Sequence, residues 1–406
     1  MSSKQKIIVI IACLISFVCG MTVAPIYNLI KKVNLACITD SVFVYDKAEN
    51  IGRPGITSDG YHTWISPKGN LYMGVWKNGN LSNGTLITDK GVYEGSFLNL
   101  SPHGYGVMYY NNGDVYRGNW SVGNKEGIGL KHNRDGRMYF GHWRAGLLST
   151  PQDVKCRVGE RVYGVDLSKY QPHHSVKWDN LALFSDVYGD VYARAPQSRD
   201  YMQPVTFAFI KATQGGLQDP SYRHHLENAR KHNVIVGSYH FFTIKDDIDE
   251  QISNFINNGQ YVKGDLPPVL DLESEYPDQK KYVEELRMYG VGRMQEEALK
   301  WLEAIEAHFK VKPIIYTTEI WKRDFLANDR LATYKFWISH YYNEEPQREK
   351  NWIFWQRTDQ AILNGYGKNI DVDMYRGSFD DFMKYRKSVS AVPSEINDEK
   401  NSFNDI

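Results

Sequence analysis

Cysteine is scarce in this sequence of 406 residues. Four cysteines are too few for a disulfide scaffold, and Cys13 and Cys19 lie in an apolar N-terminal segment. Cys37 and Cys156 remain, and whether they form a disulfide stays open. The sequence contains no Cys-x-x-Cys pair and no His/Cys cluster, so it predicts neither a metal site nor another cofactor.

An excess of charge of one sign is also missing. Lysine and arginine number 48, as do aspartate and glutamate, so the formal net charge is zero. This balance does not favour nucleic acid as a partner. Aromatic residues, in contrast, make up 14 % of the chain, with 28 Tyr and 10 Trp. Aromatic rings serve as platforms for sugars and as core residues, and the composition leaves both uses open.

A long apolar run occurs at the N-terminus, where residues 7–19 read IIVIIACLISFVC after two lysines. Residues 1–30 are interpreted as a secretory signal or as an uncleaved apolar helix that anchors the chain in a membrane. In both cases the remainder is predicted to be extracytoplasmic, either membrane-anchored or secreted. Residues 31–60 are interpreted as a linker, and the polar residues 386–406 as a disordered tail.

Residues 61–150 contain a sequence repeat. Each unit reads Tyr-x-Gly-x-aromatic before a turn, and the tyrosines are Tyr72, Tyr93, Tyr116 and Tyr139. Alternating aromatic positions bounded by Gly and Asn indicate β-hairpins, which share a continuous core when they stack. The pattern resembles the MORN repeat, which implies contact with a protein or lipid partner. A rigid spacer is the alternative.

From residue 160 to residue 385, apolar strands alternate with amphipathic helices. The clearest helix is Gln295–Phe309, which has apolar residues on one face. Eight runs are predicted as strands: Val162–Val165, Val205–Ile210, Val234–Ser238, Pro268–Leu270, Pro313–Tyr316, Lys335–Ile338, Trp352–Trp355 and Ile370–Val372. This alternation predicts an α/β fold, a TIM-like (β/α) barrel with reduced helices near its end.

Acidic residues accompany three of these strands. They lie at the end of the first strand, at the end of the fourth and on the last: Asp166, Asp271, Glu273, Asp371 and Asp373. A single Asp at a strand end is more often a helix cap than a catalyst. In β/α barrels, however, the carboxyl ends of the strands meet at one rim. The sequence therefore predicts one site built from these acids.

Eight segments of this domain follow the order found in glycoside hydrolase family 25: YGVDLSKYQ, FAFIKATQG, GSYHFF, PPVLDLE, PIIYT, FWISHYY, IFWQ and IDVDMY. The domain resembles the N-acetylmuramidases of that family, the Chalaropsis-type lysozymes. The resemblance implies cleavage of the β-1,4 bond after N-acetylmuramic acid in peptidoglycan. It assigns catalytic roles to Asp166, Asp271, Glu273 and Asp371. Gln214 stands where the family's motif has Glu.

Cleavage of a glycosidic bond needs a proton donor and a group that stabilises an oxocarbenium-like centre. Glu273 is the predicted general acid, and Asp271 is predicted to orient the 2-acetamido group that attacks the anomeric carbon. Inversion by a water that Asp166 or Asp371 activates stays open. The predicted substrate-binding residues are Tyr239, His240, Trp337, Tyr341, Trp355 and Asp373, with a place in the barrel core as the alternative for the tryptophans.

Two other functions stay open from the residues alone. One is a non-catalytic peptidoglycan-binding protein that carries the repeats as an adaptor. The other is a hydrolase of a different N-acetylated glycan. The four acids to which the resemblance assigns catalytic roles are all present, which argues against the first function, whereas Gln214 in place of Glu leaves room for it.

Overall fold

The computed structural model describes residues 42–44, 55–148, 161–178, 181–185, 191, 201–276, 278–341, 346 and 351–389. They belong to two compact units, the first N-terminal and the second C-terminal, with Tyr201–Gln203 grouped with the first. The predicted N-terminal signal or anchor and all four cysteines lie outside the described residues. Among the described helices, none has the length and apolar character needed to cross a membrane.

The first unit is a sheet of ten strands that pair in chain order. All neighbours are antiparallel except the first two strands, which are parallel. The strands are β1 Val42–Val44, β2 Gly60–Ile65, β3 Leu71–Lys77, β4 Asn80–Thr88, β5 Gly91–Leu98, β6 Ser101–Tyr110, β7 Val115–Ser121, β8 Asn124–His132, β9 Met138–Arg144 and β10 Leu147–Leu148. The predicted linker 31–60 thus contains a strand, because β1 pairs with the otherwise free edge of β2.

Aromatic rings from successive hairpins form the core of this sheet. Tyr93 meets Phe97 and Trp120 edge-to-face at centroid distances of 5.2 and 5.3 Å. Tyr116 meets Trp120 and Trp143 in the same way at 5.1 and 5.2 Å. Edge-to-face packing is a favoured arrangement of aromatic pairs, and here it joins each hairpin to the next. The predicted hairpin array is confirmed, and its identity as MORN repeats stays a prediction.

The repeated glycine makes room for the repeated tyrosine. A Cβ atom at Gly106 would lie 2.3 Å from the hydroxyl oxygen of Tyr93, which donates a hydrogen bond to the carbonyl oxygen of Ser96 at 2.8 Å. Gly129 stands in the same relation to Tyr116, also at 2.3 Å. A side chain at either glycine would displace the ring that holds neighbouring hairpins together.

The second unit is a closed barrel of eight strands. In chain order they are β11 Tyr163–Leu167, β14 Phe207–Gln214, β16 Ile235–Phe241, β17 Val269–Asp271, β18 Ile314–Thr318, β19 Lys335–Ser339, β20 Trp352–Asn364 and β21 Asn369–Tyr375. Three shorter strands are β12 Ala182–Ser185, β13 Tyr201–Pro204 and β15 Leu217–Gln218. Every predicted strand of this domain is present, with boundaries that differ by at most four residues except in β20, which continues nine residues beyond its predicted end.

The last strand of the barrel differs from the TIM-like prediction. The first seven barrel strands pair in parallel with one another, but β21 is antiparallel to both of its barrel neighbours, β20 and β11. Only residues 365–368 separate β20 from β21. A parallel strand needs a crossover of a dozen or more residues, so this short connection permits only a hairpin. The barrel therefore lacks the all-parallel arrangement of a TIM barrel.

The described helices follow the strands of the barrel. They are α1 Tyr222–Lys231, α2 Ile248–Asn258, α3 Gln279–Tyr289, α4 Val291–Phe309, α5 Glu319–Phe325 and α6 Phe379–Val389. The predicted helix Gln295–Phe309 is the C-terminal part of α4, whose apolar face is buried. Between β20 and β21 there is a hairpin and no helix, which matches the expected reduction near the end of the domain.

Helix α6 closes the end of the barrel at which the parallel strands begin. Phe382 is fully buried and packs against Phe207 and Tyr375, with centroid distances of 5.6 and 5.2 Å. Arg386 donates a hydrogen bond from Nε to the carbonyl oxygen of Gly264. These contacts keep the helix intact through Val389, so the predicted disordered tail does not begin at residue 386. Residues 390–406 lie outside the described residues.

We expect Phe382→Ala to lower the free energy of unfolding by about 3–5 kcal/mol, because it leaves a cavity beneath the barrel interior. Urea unfolding followed by circular dichroism measures the change. Lys387→Ala, on the exposed side of the same helix, is the matched control and should change stability by less than about 0.5 kcal/mol. Equal losses in the two variants would contradict the closing role of α6.

Candidate active site

Aromatic side chains fill the middle of the barrel. Residues i and i+2 of a strand share a face, so Phe207 and Phe209 of β14 both point inward. Phe209 stacks on Trp337 of β19 at a centroid distance of 4.4 Å and meets Phe354 of β20 edge-on at 5.0 Å. These rings form a water-excluding floor. Any polar group directly above them loses much of its hydration.

The five predicted acids are gathered above this floor. Strand β11 pairs with β21 so that Gly164 faces Asp373 and Val165 faces Val372, and this register brings Asp166 next to Asp371. Asp271 ends β17, and Glu273 follows it by two residues. The antiparallel direction of β21 is what puts Asp371 at the carboxyl ends of the parallel strands, with Asp373 two residues deeper in the barrel, opposite Gly164.

Burial raises the pKa of every acid in this carboxyl cluster, and repulsion between the acids adds to the effect. The pKa of Asp166 rises to about 7, that of Glu273 to about 7 and that of Asp371 to about 8. The pKa values of Asp271 and Asp373 lie well above the usual range for the same reasons. The cluster therefore holds several protons near neutral pH.

Gln356 of β20 orients Asp166. Its Nε2 donates a hydrogen bond to Oδ2 of Asp166 at 2.7 Å, which opposes the effect of burial on that pKa. Its Oε1 accepts hydrogen bonds from the hydroxyl groups of Tyr316 and Tyr341, each at 2.8 Å. The two hydroxyl donors determine the orientation of the amide, so its NH2 group must face the carboxyl group.

Lys211 of β14 supplies a positive charge to the cluster. Its side chain is 6 % exposed, and its Nζ donates a hydrogen bond to Oε1 of Gln214 at 2.6 Å. Nζ also lies 4.5 Å from the centroid of the Phe241 ring. Burial lowers the pKa of Lys211. Burial also raises the pKa values of Asp271 and Glu273, and the positive charge of Lys211 opposes this rise.

Asp271 and Glu273 differ in their surroundings. Asp271 is 4 % exposed, and its buried Oδ1 has no hydrogen-bond partner among the described residues. Glu273 is only partly buried. A buried carboxyl oxygen without a donor is costly, so this site suits a ligand that brings an N–H or O–H group to Asp271.

Three of the residues predicted to bind substrate lie inside the barrel mouth or at its rim. Tyr341 is partly exposed beside Gln356, which is compatible with contact to a ligand. Tyr239 is 8 % exposed and meets Trp337 edge-on at 6.4 Å. Asp373 is fully buried, so it belongs to the base of the carboxyl cluster and not to its exposed surface.

Trp337 is also part of the interior. Its ring is 2 % exposed within the aromatic floor, where it cannot present a face to a sugar. Burial raises the pKa of Asp373, and the charges of Asp166 and Asp371 raise it further. The core alternative therefore describes Trp337 better than the predicted role as a sugar platform.

His240 and Trp355 lie away from the barrel mouth. His240 is fully buried and stacks on Trp301 of α4 at 5.5 Å. Its Nδ1 lies 2.7 Å from Thr213 Oγ1, and its Nε2 lies 3.0 Å from Oε1 of Gln251. Burial lowers the pKa of His240 to about 4, so it is neutral. The residue holds β16 against the helices, which corrects its predicted contact with substrate.

Trp355 alternates with the inward-facing Phe354, so its ring points to the outer core, where it is 3 % exposed. Its Nε1 donates a hydrogen bond to the carbonyl oxygen of His340 at 2.8 Å. The structure thus supports the core alternative for Trp355 and corrects its predicted role in substrate binding.

Several residues of the site were not singled out from the sequence, namely Lys211, Tyr316, Gln356 and Tyr170. Lys211 and Gln356 carried a usable signal, since each is a polar residue within an apolar run, in FAFIKAT and IFWQ. Tyr170, which is 74 % exposed, follows β11 at the rim and is a candidate platform for a sugar. Among the described residues, no group of three or more His, Cys, Asp or Glu is arranged to hold a metal ion.

Residues 165–366 match the sequence model of glycosyl hydrolases family 25. The barrel domain of this chain belongs to that family and is a glycoside hydrolase. An uncharacterized protein, YegX, of Escherichia coli strain K12 is 26 % identical over 234 residues, which cover 57 % of this chain and 76 % of the relative.

Solved structures of similar proteins include a family 25 glycosyl hydrolase from Bacillus anthracis, with 27 % identity and a TM-score of 0.44, covering 56 % of this chain and 94 % of that one. A bacterial lysozyme from Streptomyces coelicolor has 23 % identity and a TM-score of 0.44, and the match covers 56 % of this chain and 98 % of the lysozyme. A muramidase from Trichobolus zukalii has 24 % identity and a TM-score of 0.43, and the match covers 56 % of this chain and 99 % of the muramidase.

The raised pKa of Asp371 predicts how stability depends on pH. In the unfolded chain this carboxyl group loses its proton near pH 4, whereas in the folded chain it keeps the proton up to about pH 8. Between these values the unfolded state binds fewer protons, so the stability of the protein falls as pH rises. Asp371→Asn removes this proton exchange.

Relative to Asp371→Asn, we expect the parent protein to lose more than about 1 kcal/mol of stability between about pH 5 and about pH 8. Urea unfolding at both pH values measures the difference. The exposed Asp380→Asn is the matched control and should follow the parent. A parent that gains stability relative to Asp371→Asn over this range would contradict the burial of this carboxyl group.

Proposed function

We propose that the barrel domain is an N-acetylmuramidase that cleaves the β-1,4 bond between N-acetylmuramic acid and N-acetylglucosamine in peptidoglycan. The observation that carries the proposal is the pair of adjacent acids with different surroundings, Glu273 and Asp271. Glu273 has a pKa of about 7 and is partly exposed, whereas Asp271 is buried with an oxygen that lacks a donor. Membership of glycosyl hydrolases family 25 supports this reading.

Glu273 is the general acid. A pKa of about 7 leaves a large fraction of the group protonated at neutral pH, and an acid with this pKa transfers its proton readily. Its partial exposure lets the carboxyl group approach the glycosidic oxygen of a long polysaccharide. Protonation of that oxygen allows the C–O bond to break and the leaving sugar to depart as an alcohol.

Asp271 acts on the 2-acetamido group. Its unpartnered Oδ1 can accept a hydrogen bond from the acetamido N–H, which positions the acetamido oxygen to attack the anomeric carbon. The oxazolinium-like ion that forms carries a positive charge, which an ionised Asp271 stabilises. Water then opens this ion, and the anomeric configuration is retained. Such substrate assistance is an alternative to the scheme in which a carboxylate is the nucleophile.

Asp271 and Glu273 influence each other's protonation. Burial is the main cause of the raised pKa of Asp271 and the charge of Glu273 adds to it, and this second effect disappears when Glu273 holds a proton. Lys211 then stabilises the carboxylate form of Asp271. The proposed reaction requires this distribution, a protonated Glu273 and an ionised Asp271 two residues away.

Asp166 and Asp371 stabilise positive charge that develops above them. The amide of Gln356 holds Asp166 in place, and repulsion from Asp166 raises the pKa of Asp371 further. The rival mechanism is inversion, in which one of these groups activates a water molecule. The configuration of the first-formed product, read by NMR of the anomeric proton, distinguishes retention from inversion.

A different N-acetylated glycan is the second candidate substrate, because the proposed role of Asp271 requires only a 2-acetamido group. Mass analysis of the reducing ends released from purified cell walls separates the two. Reducing N-acetylmuramic acid supports the muramidase, whereas reducing N-acetylglucosamine contradicts it.

We also propose that the N-terminal sheet is a spacer or an adaptor for a protein or lipid partner, in a chain exported and anchored or secreted through residues 1–30. A chain without residues 61–150 should still cleave soluble wall fragments but change its location or partners. Fractionation of cells that express both forms, with an assay on soluble fragments, tests this. Loss of cleavage by a folded truncated chain would contradict the proposal.

We expect Glu273→Gln to lower kcat/KM on soluble peptidoglycan fragments by about 100-fold or more, since general acid catalysis contributes at least that factor. Release of reducing ends measures the rate. Glu284→Gln, an exposed change of the same type on α3, should retain the parent rate. Parent-like activity of Glu273→Gln, with its thermal unfolding unchanged, would refute Glu273 as the acid.

A further inference from the structure

The partner of Lys211 is a neutral group. Lys211 is 6 % exposed, and its ammonium donates a hydrogen bond to the amide oxygen of Gln214, 2.6 Å away. The aromatic ring of Phe241 lies 4.5 Å from Nζ. Neither contact neutralises the ammonium. A buried charge is costly unless an opposite charge compensates it, so Lys211 depends on acids beyond its direct contacts.

The acids that face Lys211 are those of the proposed reaction. The charges that stabilise its ammonium come from Asp271, Asp219 and Glu273, while Lys169 opposes them. Asp219 is already held by the backbone N–H groups of Lys169 and Ser221, each 2.9 Å from its carboxyl group. The charge of Lys211 therefore acts in large part on Asp271 and Glu273.

We propose that Lys211 and Gln214 form a charge-setting pair for the reaction, in which Gln214 positions the Lys211 ammonium without neutralising it, so that its full charge acts on Asp271 and Glu273. This inference rests on the proposed function of the two acids. Lys211 and Gln214 are positioning residues, because they act through the acids and not on the substrate.

The geometry indicates how an amide at residue 214 differs in effect from a carboxylate. Gln214 ends β14, where it pairs with Phe241 of β16, and from this position its Oε1 accepts the hydrogen bond from Nζ. A carboxylate there would have nearly the same shape but would form an ion pair with Lys211. Such a pair would offset the positive charge that Asp271 and Glu273 now experience.

Other groups also act on Glu273 and Asp271, and they stay constant in this comparison. The charge of Asp166 on β11 acts on Asp271, and the charge of Asp371 on β21 acts on Glu273. Gln214→Glu changes none of these side chains. A change in the pH dependence of the reaction would therefore report on the Lys211 charge.

The test is the pH profile of kcat/KM for the full-length protein on soluble peptidoglycan fragments. With Gln214→Glu, we expect both limbs of the profile to move to higher pH by about one unit, because loss of the cationic influence raises the pKa of each acid. Lys211→Met should move both limbs in the same direction at least as far. Lys211→Arg keeps the charge and should stay close to the parent profile.

Gln218→Glu is the matched control, since it adds the same charge to the exposed strand β15 of the same hairpin. It should leave the profile unchanged, because solvent screens an exposed charge. If Lys211→Met does not fold, Gln214→Glu decides alone, as it alters neither the size nor the backbone of the residue. Either of two results overturns the inference. The pH profile of Gln214→Glu coincides with that of the parent, or Gln218→Glu shifts the profile by as much as Gln214→Glu does.

The result with Glu273→Gln separates this inference from the proposed function. If Glu273→Gln is inactive and Gln214→Glu has the parent profile, the acid is correctly assigned and the charge-setting pair is wrong. If Glu273→Gln is active, the proposed function fails first. Inactive Glu273→Gln together with a shifted Gln214→Glu profile supports both.

Discussion

The structure depends on keeping five carboxyl groups together in a place that is poor in water. Removing a charge from water costs several kcal/mol unless protons, hydrogen bonds or opposite charges compensate it. All three occur here. Raised pKa values keep protons on the acids, Gln356 donates to Asp166, and Lys211 lies close enough to lower the pKa values of Asp271 and Glu273. The same features that offset the cost of burying the cluster also give the acids different tendencies to hold a proton, which acid catalysis requires.

The closure of the barrel determines which acids meet. Because β21 runs antiparallel to its neighbours, its N-terminal half lies at the end where the parallel strands finish, and Asp371 and Asp373 join the acids of β11 and β17. A parallel last strand would have placed these residues at the other end of the barrel. Helix α6 then fills that other end with Phe382, so the mouth and the closed end of the barrel follow from the direction of one strand.

The two units solve the problem of core formation differently. The barrel encloses its aromatic floor and surrounds it with helices. The N-terminal sheet has no enclosed interior, and its core is a row of Tyr, Phe and Trp rings passed from one hairpin to the next. Its repeated glycines leave room for those rings, so a change at Gly106 or Gly129 would act through the neighbouring hairpin. This arrangement lengthens by repetition, which suits a spacer.

The sequence by itself determined the hairpin repeats, the eight barrel strands and the five acids, because these depend on local periodicity and on residue types at strand ends. It also predicted a TIM-like barrel, assigned His240 to the substrate, and left Trp337 and Trp355 open between the substrate and the core. In the folded chain the last strand is antiparallel and all three side chains are buried. The facing direction of a ring and the direction of the last strand depend on packing and on connection length across the whole barrel. The roles of Gln356 and Lys211 likewise follow from partners 190 and 60 or more residues away in the chain, Asp166 and Glu273. Local patterns cannot report such distant contacts, because only the closed barrel brings them together.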